Sequence, residues 1–144
     1  MASPLRAPLL LLAILAVTLA MTLAKTVAKG SKRSGGIEEA DVNDEEVQQA
    51  LDFAISKYNE ESNDVYYSRV RQVVRARQQV VAGMNYFFDV KIGRTTCAKS
   101  QPNLDNCPFH EQQRLKREKL CSFEIYSVPW EDSMTLVESS CQKA

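Results

Sequence analysis

Histidine and tryptophan occur once each, and the four cysteines leave no odd one over. A cysteine hydrolase needs an unpaired thiolate beside a histidine, and an even set of cysteines with His110 alone offers no such couple. No charge of one sign dominates either. The chain carries 18 Lys and Arg against 18 Asp and Glu, and past residue 24, with Arg6 set aside, the balance is 17 to 18. Without a global field nothing draws in nucleic acid or an anionic membrane. There is no Asn-x-Ser/Thr sequon to glycosylate and no internal repeat. The 144 residues, 44% hydrophobic and 25% charged, have room for one core. The longest apolar run, Pro8 to Ala24, falls short of the roughly 20 residues that span a bilayer.

That run follows Arg6 and stops at Lys25, the pattern of a signal peptide over residues 1–24, with Ala20, Ala24 and Ala28 as cleavage candidates and an end anywhere from 20 to 30. The expected protein is therefore secreted and extracellular. In that compartment Cys97, Cys107, Cys121 and Cys141 read as two disulfides, where the same four in the cytosol would first suggest metal. Three connectivities are open. Cys121 and Cys141 flank Pro129-Trp130 almost symmetrically, as a bridge across a hairpin would, which leaves Cys97 with Cys107. The Cys107-x-x-His110 spacing could serve zinc, but a structural site needs four ligands and the other cysteines are committed. No metal or cofactor is expected.

Residues 25–42 are rich in Lys, Gly and Ser and cannot bury enough surface to offset their ordering entropy, which predicts a mobile arm ahead of a domain over 43–144. Asn43 with Glu46 three residues on forms a capping-box start. Val47, Ala50, Leu51, Ala54, Ile55 and Tyr58 then recur on one helical stripe that ends near 59–63. The period next changes to two. Val70, Val74, Ala76 and Val80 alternate with Arg69, Arg71, Arg75 and Arg77; after Gly83, Met84, Tyr86, Phe88, Val90 and Ile92 share one face, opposite Asn85, Asp89 and Lys91. The polar stretch 98–119, with Pro102 and Pro108, reads as a loop held by a disulfide. Cys121, Phe123 and Ile125 begin a third strand, and 134–141 form a fourth beyond Pro129-Trp130. One long helix with a single apolar stripe and an antiparallel sheet of four to five strands with one apolar face satisfy each other by packing, an α+β fold.

Few residues then remain for chemistry. Glu45-Glu46 and Glu60-Glu61 sit at the predicted helix ends, where solvation and the helix dipole account for them. The arginine row reads as a solvated strand face without an interleaved aromatic platform, and His110 as a surface loop residue. Two turns are harder to explain. Val80-Val81-Ala82 has none of the Asn-Gly chemistry a relaxed tight turn prefers, and Trp130 beside a turn proline places a large apolar side chain where burial is poor. Together they suggest an insertion surface. Gln79-Val80-Val81-Ala82-Gly83 matches the Q-x-V-x-G motif of cystatins, Pro129-Trp130 matches their second hairpin, and Gly35 stands where the family has its N-terminal glycine. With four cysteines in its C-terminal half, the chain resembles the type 2 cystatins over essentially its whole length, including the stretches 50–58 and 93–108.

The resemblance implies the cystatin fold, a five-turn helix wrapped by the sheet, and supports the pairings Cys97 with Cys107 and Cys121 with Cys141. It implies no enzyme but a reversible, tight-binding competitive inhibitor of papain-like cysteine proteases such as cathepsins B, H, L and S. In that role Gly35, Gln79, Val80, Val81, Ala82, Gly83, Pro129 and Trp130 form a wedge that plugs the cleft. Ser62, Asn63 and Asp64 match a second site by which some type 2 cystatins block legumain, with Asn63 as its anchor. One departure concerns the arm, which has Arg33 and Ser34 where cystatin arms carry apolar residues before the glycine. The Val80–Ala82 tip is expected to be able to open, converting a monomer into a domain-swapped dimer. The alternative reading is a secreted cystatin-fold binding module with weak or no inhibition, and the intact motifs argue against it.

Overall fold

A computed structural model describes residues 35–144; the signal-peptide stretch and the departures at Arg33 and Ser34 lie outside them. Among the described residues the order is β1 (Ile37–Glu39), α1 (Glu45–Glu61), β2 (Tyr66–Val81), β3 (Gly83–Ala98), β4 (Glu118–Val128), a 3-10 turn (Pro129–Glu131) and β5 (Ser133–Lys143). The strands form one antiparallel sheet in sequence order, β1-β2-β3-β4-β5. β1 falls inside the stretch read as an arm: Ile37, Glu38 and Glu39 pair with Gln79, Gln78 and Arg77. Its residues are all exposed, so burial patterning carries no trace of a strand stabilised by ladder bonds and by Arg75, whose Nη2 donates to Glu39 Oε1 at 2.8 Å.

The helix starts one residue later than the capping box suggests. Asp44 is the N-cap, with extended backbone and a side chain that accepts from the Glu46 amide, while the Asn43 amide donates to Asp41. Val47, Ala50, Ala54, Ile55 and Asn59 are buried, and the two alanines, wholly covered, let α1 lie close on the sheet. Tyr86, Phe88, Val90 and Ile92 of β3 and Cys121, Phe123 and Ile125 of β4 supply the opposing face. Alternation thus places β3 and β4 correctly.

It misplaces part of β2. Register shifts between Val70 and Gln72 and between Val73 and Arg75 turn Val73 toward the core and leave Val74 56% exposed, the reverse of a strict two-residue period. A buried polar residue also escaped the pattern. Asn59 donates through Nδ2 to Ile55 O at 3.0 Å and Ser68 O at 2.8 Å and accepts from the Ser68 amide at 2.8 Å, tying the last turn of α1 to the start of β2. Asn59→Ala removes the side-chain partners of the buried Ser68 amide and carbonyl, while Ile55 O keeps its helical bond. The expected cost is about 2–3 kcal/mol, or roughly a 10 °C fall in Tm on thermal unfolding. A change below a degree or two would show that the fold does not depend on this junction.

Both expected disulfides are present, Cys97–Cys107 and Cys121–Cys141, the latter between residues directly opposite on β4 and β5. The 99–117 stretch is held by more than its bridge: Arg69 Nε donates to Cys107 O at 2.7 Å, and Phe109 pairs with Thr95. Phe109 packs so close to Gly93 that a Cβ there would lie 3.0 Å from its ring. It also slides under Arg69 and Arg71, 4.0 and 4.6 Å from their guanidinium carbons. The arginine row is consequently not a free solvated face. Arg71 meets Glu111 and Glu118, Arg75 meets Glu39 and Arg77 approaches Asp89, so carboxylates from other elements neutralise what β2 alone shows as a basic stripe. His110 is partly buried, edge-on to Tyr66 at 4.7 Å, with its Nε2 covered and without a hydrogen-bond partner.

Candidate functional site: two hairpin tips at one end of the sheet

β2 turns into β3 around a single apex residue, Ala82, with Val81 opposite Gly83 and Val80 opposite Met84. Gly83 has φ of 112°, and a Cβ on it would stand 2.6 Å from Ser127 O and 3.1 Å from Tyr126 Cε1. Glycine is thus required twice here, by the left-handed backbone and by the second hairpin pressed against the first. Tyr126 completes the junction by donating its hydroxyl to Ala82 O. Nothing in the β4 alternation marks Tyr126 for this task, because its partner is a backbone carbonyl 44 residues away in sequence.

The second tip is the 3-10 turn, with Pro129 in its first turn and Asp132 in the left-handed region at φ 50°, its amide donating to Pro129 O at 3.1 Å. Val128 is buried beneath it. Because Met84 pairs with Ser127, this turn lies beside Ala82 and Gly83. Trp130 is 70% exposed and Val80 and Val81 are also exposed. Ile37, exposed as well, begins β1 opposite Gln79, so the chain enters the sheet at this same end. A row of apolar side chains on rigid strand ends suits insertion into a partner. Gly35 is exposed, and a Cβ on Gly36 would meet nothing within 4 Å.

A groove among the described residues lies elsewhere. It runs between α1, β2 and the 99–105 loop, past Leu51, Asp52, Ile55, Tyr67, Val70 and Leu104, and takes no residue from either tip. Burial pushes the Asp52 carboxyl up, and burial followed by the Asp52 charge does the same to the Tyr67 phenol. Cys107 is disulfide-bonded, so it supplies no thiolate to His110 or to zinc.

Ser62, Asn63 and Asp64 sit at the opposite end, just beyond α1. Ser62 caps the helix through its amide to Tyr58 O, and its hydroxyl accepts from the Asp64 amide. Arg94 Nε donates to Asp64 Oδ2 and Lys99 Nζ to Ser62 O, each at 2.7 Å. With both neighbours held, Asn63 projects exposed from a fixed turn.

A helix laid on this five-stranded meander, with adjoining tips built on Q-x-V-x-G and Pro-Trp, defines a cystatin, and the chain belongs to that family: the cystatin domain description matches residues 35–130. Cystatins are protease inhibitors and not enzymes. Within the family the chain is a type 2 cystatin similar to cystatin C. It is 62% identical over 146 residues to cystatin-C of Macaca mulatta and 61% identical over 146 residues to that of Homo sapiens, with all of each chain covered. Human cystatin-SA is 62% identical over 110 residues, 76% of this chain and 78% of its own. The crystal structure of dimeric human cystatin F superimposes with a TM-score of 0.70 at 33% identity, over 77% of this chain and 89% of that one.

Proposed function

We propose that the protein is a secreted, reversible, competitive inhibitor of papain-like cysteine proteases, cathepsins B, H, L and S among them, and that Gln79–Gly83 and Pro129-Trp130 enter the cleft together. The observation that carries this reading is the interlock of the tips, in which Gly83 leaves no room for a side chain against Ser127 and Tyr126 binds the Ala82 carbonyl. A surface already in its bound shape forfeits little ordering entropy on association. No scissile bond need be offered, because apolar burial and shape supply the affinity. Gly35 would let the arm bend into the non-primed subsites without a side chain in the way. Titrating the oxidised protein against papain and the four cathepsins tests the reading; absence of inhibition by folded protein would leave the binding-module alternative.

Tyr126→Phe isolates the interlock. Removing one hydroxyl should weaken papain inhibition by about 1 kcal/mol, roughly fivefold, chiefly through slower association, because fewer molecules then hold the tip in its competent shape. Equal association rates for the two proteins would count against it.

Ser62-Asn63-Asp64 is proposed as a separate legumain site with Asn63 as the residue presented. The side-chain and backbone bonds at Ser62 and Asp64 support that, since they fix the turn and leave Asn63 outward. Asn63→Lys should abolish legumain inhibition and leave papain inhibition unchanged. Loss of both together would refute the separation. Opening of the Val80–Ala82 tip into a domain-swapped dimer is proposed as well, and such a dimer would inhibit legumain but not papain.

A further inference from the structure

Charge is unevenly spread over the described residues, although the net charge of the chain is zero. Between Ile37 and Glu46 the sequence has six acidic residues and no basic one, and of these Glu39 is paired with Arg75. At the far end of the β4–β5 hairpin from Trp130 basic residues gather. Arg114, Lys116, Arg117 and Lys119 follow one another into β4, and Lys143 pairs directly opposite Lys119. Like charges facing across a ladder destabilise it, although Lys119 also reaches over the Tyr58 ring. The one carboxylate inside the run, Glu118, is shared by Arg71, Lys91 and Lys116. Partial burial pushes the Glu118 carboxyl up, but the Lys116 hydrogen bond and the charges of Lys116, Lys91 and Arg71 outweigh it and hold the group below the ordinary carboxylate range. Within the run and its partner strand, Arg114, Lys116, Arg117, Lys119 and Lys143 stand against Glu118 alone.

We propose that this basic end binds a linear sulfated polysaccharide. Arg114 and Lys116 lie in the turn ahead of β4, where the Leu115 and Lys116 amides donate to Gln112 O, and Arg117, Lys119 and Lys143 follow at the ends of β4 and β5; five cations gathered in so short a span suit a chain of closely spaced sulfates. Two rival polyanions fit less well. Nucleic acid would want an exposed aromatic to stack on, and the ring beside the run, Tyr58, is covered by Lys119. An anionic membrane would want an apolar anchor, and Leu115 and Leu120 are half-buried in the protein. The polymer would sit roughly 30 Å from Trp130, at the strand rise over β4. The hairpin tips would lie at the far end of β4 from it, so a matrix-held inhibitor keeps its tips free.

Heparin is the probe, and retention is read without any protease, so the result stands or falls independently of the inhibitory role. The parent protein should be retained on immobilised heparin at physiological salt. Lys143→Glu converts a repulsive pair into an attractive one; it should hold or raise Tm while cutting heparin affinity about fivefold and lowering the salt slope by about one. Arg114→Glu added to it should abolish retention, with papain inhibition unchanged and the papain complex of the parent still retained. No retention of the parent, retention indifferent to both substitutions, equal retention on duplex DNA at the same salt, or displacement from heparin by papain would each overturn the proposal.

Discussion

Gly83→Ala should cost about 3 kcal/mol of stability and raise the papain inhibition constant roughly 100-fold. The two effects share a cause. A methyl group at this position would stand 2.6 Å from Ser127 O, a backbone atom that cannot rotate aside, and alanine would have to adopt a φ of 112°. Holding an L residue in such a region costs about 1–3 kcal/mol before the clash is relieved. Relief requires the first tip to move from the second, which also removes the Tyr126 bond to Ala82. Two contact surfaces are then misaligned, and about 2.8 kcal/mol of lost binding corresponds to the 100-fold change. Urea unfolding together with inhibition titrations corrected for the folded fraction measures both quantities. A folded variant with the parental inhibition constant would mean that the tips need not be in register.

Trp130→Ala should weaken papain inhibition by about 2 kcal/mol, some 30-fold, with Tm unchanged, as expected of a central aromatic anchor. The separation of affinity from stability follows from position. Trp130 is 70% exposed, and its turn is held by Pro129, by the left-handed Asp132 and by the amide of that residue on Pro129 O, none of which involves the indole. Legumain inhibition should persist in this variant. Thermal unfolding beside inhibition assays against both enzymes decides the matter, and parental papain affinity would remove Trp130 from the wedge.

Much of this architecture is legible in the sequence. The helical stripe from Val47 to Tyr58 and the alternation of Met84 through Ile92 reflect burial on one face, which is what periodicity records. Cys121 and Cys141 were pairable because a hairpin makes equidistant residues meet. What stayed hidden depends on contacts between distant segments. Val73 and Val74 exchange faces because β2 carries bulges, and no local pattern marks them. Arg69 and Arg71 look solvated until Phe109, Glu111 and Glu118 arrive from the loop and β4. The motif glycine could be matched by spelling alone. Its reason, a neighbouring carbonyl at van der Waals limits, exists only when both hairpins are assembled.

The sheet order also bears on how the molecule assembles and loosens. From β2 to β5 each strand pairs with its immediate successor, and the β2–β3 and β4–β5 pairings can form by zipping outward from short turns, whereas β3 and β4 meet across the 99–117 stretch. β1 differs: the helix intervenes before β2, and closing Ile37 onto Gln79 constrains a long stretch of chain for a ladder of three residue pairs. Such an element is expected to dock late in folding and to exchange its amide hydrogens early, without global unfolding. The strand beside Gln79 is thus the one expected to loosen first, whereas Ala82 and Trp130 are carried on the long strands β2 to β5.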